Sequence, residues 1–265
     1  MLVHSRAGRW TAWTVFFVLF LPLFALPFLV VLAASFATHW SGALPSVPTL
    51  AHYREALHGD SLHALTTSLL TATGASVFAL VLGGWAALAA ERLPRRLRRV
   101  VDALFMLPLA VPSVVVGLCL LVAFSQPPFL LNGTAWIVVL AHTVLVTAFA
   151  HQSVGAALTR LDPAYEQSAA SLGARPLYVL WRIRLPLLLP SLTAAAGLCF
   201  ALSMGELSAT VMLYPPGWVP LPVRIYSATS RGSLFEGAAL AVVMMAATLA
   251  VLLGVSRIRN RAAHR

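Results

Sequence analysis

The sequence predicts an all-α, polytopic membrane protein with six transmembrane helices. Of its 265 residues, 60% are hydrophobic and only 10% are charged, whereas soluble globular domains carry about 25% charged residues. Six predominantly apolar stretches reach the roughly 20 residues that an α-helix needs to cross the hydrocarbon core of a bilayer. The composition therefore excludes a water-soluble, disordered or nucleic-acid-binding protein.

Charged and turn-forming residues set the limits of the six predicted spans. The first stretch, 11–36, is longer than the roughly 7–15 apolar residues of a signal peptide, so we expect it to remain as a helix. The long uncharged run 103–159 divides at 125–133, where Pro and Gly indicate a turn. The predicted spans are 11–36, 64–90, 101–124, 134–158, 186–213 and 237–256.

Arginine placement predicts the orientation of the chain. All 18 basic residues are Arg, and 15 of them lie in the N-terminal segment, the loops 91–100 and 160–185, and the C-terminal segment. Because cytoplasmic loops carry the excess of positive charge, both termini are predicted to be cytoplasmic. The net charge of +10 is then explained by attraction to anionic lipid headgroups instead of nucleic acid.

Two classes of chemistry are excluded by the composition. The chain contains no Lys, so it has no P-loop lysine with which to bind nucleotide phosphates. Cys119 and Cys199 lie in apolar runs without metal-ligand spacing, and we expect both to be small core residues. The sequence therefore predicts neither an ATPase nor a bound metal.

The cytoplasmic loop 160–185 is predicted to contain two short helices. Asp162 is a suitable N-cap and Pro163 a suitable first helical residue. Gly173 is placed to end this helix in a left-handed turn. Pro176 starts a second helix, which is expected to end before Pro186.

The first of these helices has a surface of small side chains. Tyr165, Ala169 and Leu172 share one face by their spacing. Four consecutive side chains, beginning with Ser168 and Ala169, are small enough for another backbone to approach closely. Insertion into a groove of a soluble partner fits this pattern, and packing on the membrane surface fits it equally well.

This loop resembles the EAA signature of inner-membrane permeases of binding-protein-dependent ABC importers with the MetI-like, type I fold. That signature has Glu-Ala-Ala, three residues, Gly, nine residues and Ile-x-Leu-Pro. Here the Gly-to-Pro spacing is intact, whereas two of the three residues at the Glu-Ala-Ala positions depart from the pattern and an acid lies one place early. The positions concerned are Glu166, Gln167, Ser168, Ala169, Gly173, Ile183, Leu185 and Pro186.

The resemblance implies a transport subunit that is not itself an enzyme. It implies an N-terminal helix and periplasmic loop over 1–62, an ABC transmembrane type-1 domain of five helices over 63–256, and a cytoplasmic tail over 257–265. The implied partners are two ATP-binding subunits, a second permease subunit of the same or another kind, a periplasmic substrate-binding protein and membrane lipid. The chain would bind no cofactor, since the partner uses the ATP, and it would lie in a bacterial inner membrane.

One acid lies in the middle of a predicted span. A charge in lipid costs several kcal/mol unless it faces a cavity or a partner, so Glu206 is a candidate for the translocation path together with Ser203 and Ser208. The alternative is a hydrogen-bonded acid that holds the fifth span against a neighbour. His142 and His151 lie nine residues apart in the fourth span and are predicted to be hydrogen-bonded interior histidines.

The outer segment 213–226 is aromatic and rich in Pro. Tyr214 and Trp218 suit the membrane interface. The segment is interpreted as a docking surface for a periplasmic binding protein, as an interfacial anchor, or as both.

Further stretches are similar to permeases of 2-aminoethylphosphonate importers. They are Ser-Met-Gly-Glu-Leu-Ser-Ala-Thr-Val-Met-Leu-Tyr-Pro-Pro-Gly-Trp at 203–218, Leu-Val-Ala-Phe-Ser-Gln-Pro-Pro at 121–128 and the start of the chain. Ferric-iron, thiamine and sulfate permeases share Gly-Glu-x-x-Ala-Thr, so those substrates remain alternatives. An ion-gradient-driven transporter with Glu206 as its ion site is a further alternative, and no sequence motif of an intramembrane enzyme is found.

Overall fold

The computed structural model describes residues 6–40, 42 and 46–263. Within these ranges the chain forms thirteen α-helices, two π-helical turns (Phe16–Phe20 and Leu180–Arg184) and two short strands, β1 (Ala37–His39) and β2 (Ser46–Pro48). The helices α1 to α13 are Arg6–Val15, Leu21–Ser35, Ala51–Ala56, Gly59–Ala90, Arg95–Ala110, Ser113–Ala123, Ala135–Leu158, Ala164–Ser171, Pro176–Val179, Leu185–Met204, Ser208–Leu213, Leu221–Ser230 and Leu234–Ala263.

The described residues confirm an all-α, polytopic membrane protein. Five uninterrupted helical segments are long and apolar enough to cross a membrane, namely Gly8–Ser35, Gly59–Ala90, Ala135–Leu158, Pro176–Met204 and Leu234–Arg257. A sixth crossing exists only if α5 and α6 are counted together, because these helices are bent by 102° at their junction. The last two residues of the predicted tail lie outside the described part.

The third span, predicted over 101–124, consists of two helices. The first starts at Arg95 and ends at Ala110, and the second is Ser113–Ala123. Val111 is extended, with φ −108° and ψ 134°, because the ring of Pro112 disfavours helical backbone in the residue before it. The predicted span is thus roughly in place, and the break within it is a feature that apolar run length does not predict.

The fifth span also differs from its prediction over 186–213. It begins at Pro176 within the loop 160–185 and ends at Met204, and α11 forms only after a break at residues 205–207. Glu206 lies in this break and not in the middle of a helix. The hydropathy of the stretch is continuous across the break, so apolar run length alone could not reveal it.

The chain has two compact units, of which one contains the described parts of 1–62 and 224–245. In this unit the segment between α2 and α4 holds the antiparallel β1–β2 pair and α3. The hydroxyl groups of Ser35 and Tyr53 lie 2.6 Å apart, and the Phe36 and Tyr53 rings are in contact at 5.0 Å. These contacts fasten α3 to the end of α2.

The second unit contains residues 63–223 and 246–263 of the described chain, and α7 lies at its centre. This helix packs against α5, α6, α10 and α11. Small residues allow the close approach that is typical of membrane helix packing, and Ala79, Val146, Ala150 and Cys199 form one buried cluster. Cys199 is therefore a core residue as expected, whereas Cys119 is exposed.

Candidate functional site

The loop 160–185 begins with a capped helix, close to the prediction. The Ala164 backbone N–H donates to Oδ1 of Asp162 at 2.9 Å, which satisfies one of the free amides at the helix start. Helix α8 follows from Ala164 to Ser171. It carries Glu166, Gln167, Ser168 and Ala169.

Gly173 ends α8 in the left-handed conformation that the sequence predicts. Its φ is +80°, a value that costs other L-residues energy but not glycine. The Gly173 N–H donates to the Ala170 carbonyl at 2.9 Å, and the Ala174 N–H donates to the Ala169 carbonyl at 3.0 Å. This pair of bonds is the Schellman arrangement at a helix C-terminus, so the helix, glycine turn and second helix are confirmed.

The second helix does not end before Pro186, contrary to the prediction. Helix α9 continues through the π-helical turn Leu180–Arg184 into α10. The Leu185 N–H bonds to the Leu180 carbonyl, five residues back. Pro186, which has no N–H to donate, lies directly after this turn, at the second position of α10. The loop 160–185 is thus joined directly to the fifth membrane helix.

The loop exposes apolar side chains in the single chain. Leu172 is 88% exposed and Tyr165 is 56% exposed, whereas Ala169 is 9% exposed. The face that these residues were predicted to share is therefore mostly uncovered by the chain's own residues. Leu177, Tyr178 and Trp181 of the second helix are exposed as well.

Arg184 connects this loop to two membrane helices. Its guanidinium bonds to the Glu91 carboxylate, and its Nε lies 2.9 Å from Oε1 of Glu166. Glu91 directly follows α4, and Glu166 lies in the first turn of α8. We call Arg184, Glu91 and Glu166 the Arg184 cluster.

The sequence reasoning missed Arg184 and Glu91. Arg184 occupies the variable position of the Ile-x-Leu-Pro stretch, between Ile183 and Leu185, and these two neighbours are half-buried while Pro186 is exposed. The partners Arg184 and Glu91 lie 93 residues apart in the chain. The available signal in the sequence was one acidic and one basic residue at the ends of two predicted spans, and this signal does not specify the pairing.

The break between α10 and α11 places Glu206 at the start of a short helix. Its Oε1 accepts a hydrogen bond from the Ala209 N–H at 2.9 Å. Glu206 is half-buried and Ser208 is exposed, whereas Ser203 is buried. The carboxylate is thus bonded locally and does not hold the span against a neighbouring helix.

His142 of α7 is hydrogen-bonded on both sides of this break. Its Nδ1 lies 2.6 Å from the Ser203 hydroxyl, and its Nε2 lies 2.8 Å from the Thr210 hydroxyl. The Thr210 hydroxyl donates to the Glu206 carbonyl at 2.9 Å, so its oxygen accepts a hydrogen bond from the Nε2–H of His142. Ser203 then donates to Nδ1, and a neutral imidazole satisfies every group.

His151 is also a hydrogen-bonded interior residue. Its Nε2 lies 2.8 Å from Oδ1 of Asp102, and its ring stacks on Phe105 with centroids 4.5 Å apart. Asp102 lies a further 3.9 Å from Nε of Arg98. The prediction for both histidines is confirmed, and Asp102 joins α5 to α7 through its contact with His151.

Sequence comparison places this architecture in a known family. Residues 65–264 match the family described as binding-protein-dependent transport system inner membrane component, and the chain belongs to that family. It is a permease subunit of a bacterial ABC importer, a multi-pass protein of the inner membrane whose task is transport and not catalysis.

The similarity to individual relatives covers most or nearly all of the chain. The chain is 48% identical over 98% of both sequences to a Salmonella paratyphi A protein that carries the provisional name 2-aminoethylphosphonate transport system permease protein PhnV. It is 31% identical to the putrescine transport system permease protein PotI of Escherichia coli, covering 83% of this chain and 76% of that one. A bacterial ABC transporter for the import of alginate has the same fold, with a TM-score of 0.74, 17% identity and coverage of 97% and 96%.

Proposed function

We propose that this permease carries 2-aminoethylphosphonate across the inner membrane. The observation that carries the proposal is the 48% identity over 98% of both chains to the Salmonella protein named for that substrate. The relative named for putrescine is considerably more distant, at 31% identity. Ferric iron, thiamine and sulfate are the competing substrates.

The break at residues 205–207 is the proposed part of the translocation path in this chain. Glu206 is half-buried in the break and Ser208 is exposed at the start of α11, and non-helical backbone in membrane helices is tolerated where it lines a cavity or is buried in protein. The ammonium group of 2-aminoethylphosphonate is a suitable partner for the Glu206 carboxylate. The hydrogen bonds of His142 with Ser203 and Thr210 hold both sides of the break in place.

The proposed assembly contains two permease subunits, two ATP-binding subunits and a periplasmic substrate-binding protein. Both termini and the loop 160–185 are cytoplasmic in this proposal, in agreement with the distribution of Arg. Helix α8 and the residues around Gly173 contact the ATP-binding subunit. The exposed Leu172, Tyr165 and Trp181 offer the apolar surface that such a helix-in-groove contact requires.

Uptake into reconstituted vesicles tests the substrate. The complete transporter, with ATP inside and the binding protein outside, is expected to accumulate labelled 2-aminoethylphosphonate. Excess ferric iron, thiamine, sulfate or putrescine should leave that uptake unchanged. Uptake of one of these competitors without uptake of 2-aminoethylphosphonate would overturn the substrate assignment.

Dependence on ATP tests the mechanism separately. Vesicles that contain a non-hydrolysable ATP analogue are expected to show no accumulation, with or without an imposed ion gradient. Accumulation driven by a proton or sodium gradient alone would contradict the assignment of transport to an ATP-binding partner.

A further inference from the structure

We propose that Arg184 is a positioning residue that joins the coupling helix α8 to the cytoplasmic ends of the second and fifth spans, so that movement of α8 is passed to both. The inference rests on the proposed function in one respect, which is that α8 receives the movement of an ATP-binding subunit. Nothing in the EAA pattern assigns this role, because Arg184 stands at its variable position.

Three separate segments of the chain meet at the guanidinium of Arg184. Arg184 is the last residue of the π-helical turn that leads into α10. Its partners are Glu91, directly after α4, and Glu166, in the first turn of α8 at 2.9 Å. The Glu166 contact spans Gly173, so it joins the two sides of the glycine turn. Without it, α8 would be held to the second helix mainly by the backbone of that turn.

The burial of the cluster makes its arrangement specific. The Arg184 side chain is 10% exposed, while those of Glu91 and Glu166 are 32% and 46% exposed. A guanidinium taken out of water requires paired carboxylates. Its planar fork lets Nη2 donate to the Glu91 carboxylate while Nε lies in ion-pair contact with the Glu166 carboxylate, an arrangement that the point charge of an ammonium group reproduces less well.

The departure from the family pattern supports the same role. The acid lies at Glu166, one place before the usual Glu position, which Gln167 occupies. On an α-helix, a shift of one residue rotates a side chain by about 100° around the axis. In this chain the carboxylate is directed to Arg184 of the same subunit.

The test measures solute moved per ATP hydrolysed by the complete transporter in vesicles. Arg184→Gln and Glu166→Gln are each expected to lower this ratio at least fivefold, while stimulation of ATP hydrolysis by the binding protein persists. Arg184→Lys, which keeps the charge but not the fork, should retain an intermediate ratio. Arg182→Gln is the matched control, since Arg182 is exposed in the same helical turn, and it should behave as the wild type.

Two results would overturn the inference. One is a wild-type ratio for both Arg184→Gln and Glu166→Gln in complexes of normal composition. If Arg184→Gln fails to assemble, Glu166→Gln decides alone, because Glu166 is half exposed and glutamine preserves its size. The other is an equally large fall in the solute moved per ATP hydrolysed by the Arg182→Gln control. Absence of ATP-driven uptake by the wild type would instead overturn the proposed function, so the two failures are distinguishable.

Discussion

Gly173 is the residue at which backbone conformation has the clearest functional consequence. A Cβ added there would meet no atom within 4 Å, but φ is +80°. Any substitution is therefore disfavoured by the backbone conformation and not by contact with neighbouring atoms. For a non-glycine residue the left-handed conformation costs about 1–2 kcal/mol, which is enough to shift the turn and misplace α8.

Gly173→Val is expected to reduce ATP-driven uptake at least tenfold while the protein still inserts into the membrane at the normal level. The valine favours a negative φ, so α8 would leave its position relative to the second helix. Uptake and membrane content of the variant are the measurements. Gly254→Ala, a helical glycine with open space around it, is the control, and full uptake by Gly173→Val would contradict the coupling role of the turn.

Glu206 has two roles that substitution can separate. Its Oε1 accepts the Ala209 N–H, a bond that glutamine can also make, whereas only glutamate carries the charge proposed to meet the solute. Glu206→Gln is therefore expected to lower uptake about tenfold without affecting assembly. Glu206→Ala should lower both uptake and stability.

The control for this pair is Glu55→Gln, which removes an exposed carboxylate on α3 and should leave uptake unchanged. Wild-type uptake by Glu206→Gln, together with loss in Glu206→Ala, would assign Glu206 to capping alone. Uptake rates and the amount of assembled complex are measured for all three variants.

At the level of elements, α4 and α7 approach each other closely at one glycine. A Cβ on Gly83 would lie 2.8 Å from the His151 backbone N and 2.9 Å from the Thr147 carbonyl oxygen. Both atoms belong to the backbone of α7, so neither can move without displacing the helix. The same close approach brings Nδ1 of His151 to 3.3 Å from the Gly83 carbonyl.

Gly83→Ala is expected to destabilise the folded protein by about 1–3 kcal/mol, the usual range for overpacking. Thermal unfolding of the purified permease in detergent is the measurement. Gly84→Ala is the matched control, because its added Cβ would meet only Val154 Cγ2 at 4.0 Å. Equal unfolding temperatures for the two variants would contradict a rigid contact between α4 and α7.

The elements differ in how well the sequence predicts them. The limits of the spans that start or end at charged residues were predicted to within a few residues, because the thickness of the hydrocarbon core determines the length of the apolar run. The breaks at Val111 and at 205–207 were missed, since hydropathy is continuous across them. In the site, Gly173 and Asp162 were predicted from local turn and cap chemistry, whereas the Arg184–Glu91 bond joins residues that are distant in the chain.

At the level of the whole molecule, the orientation proposed from the distribution of Arg places the loop 160–185 on the cytoplasmic side and the segment 214–236 on the periplasmic side. Ser171 and Ser233 are exposed residues in these two segments. Each can be replaced by Cys after the exposed Cys119 has been changed to Ser.

A membrane-impermeant maleimide is expected to label Ser171→Cys only in inverted vesicles and Ser233→Cys only in right-side-out vesicles. The Cys119→Ser protein serves as the unlabelled background, since Cys199 is buried. The reverse labelling pattern would place the coupling loop on the periplasmic side and contradict the orientation.

The 102° bend between α5 and α6 has a consequence for where water enters the molecule. At 16 and 11 residues, the two helices measure roughly 24 and 16 Å at 1.5 Å per residue, so neither alone crosses a hydrocarbon core of about 30 Å. The junction therefore lies at membrane depth, where amides and carbonyls without helical partners cannot face lipid. Helix α11, which starts at the other backbone break, packs on α6 so closely that a Cβ on Gly117 would lie 2.9 Å from the Ala209 carbonyl oxygen. The backbone at both breaks must therefore be buried in protein or line a water-filled cavity, and the second of these is the environment that the proposed translocation path requires.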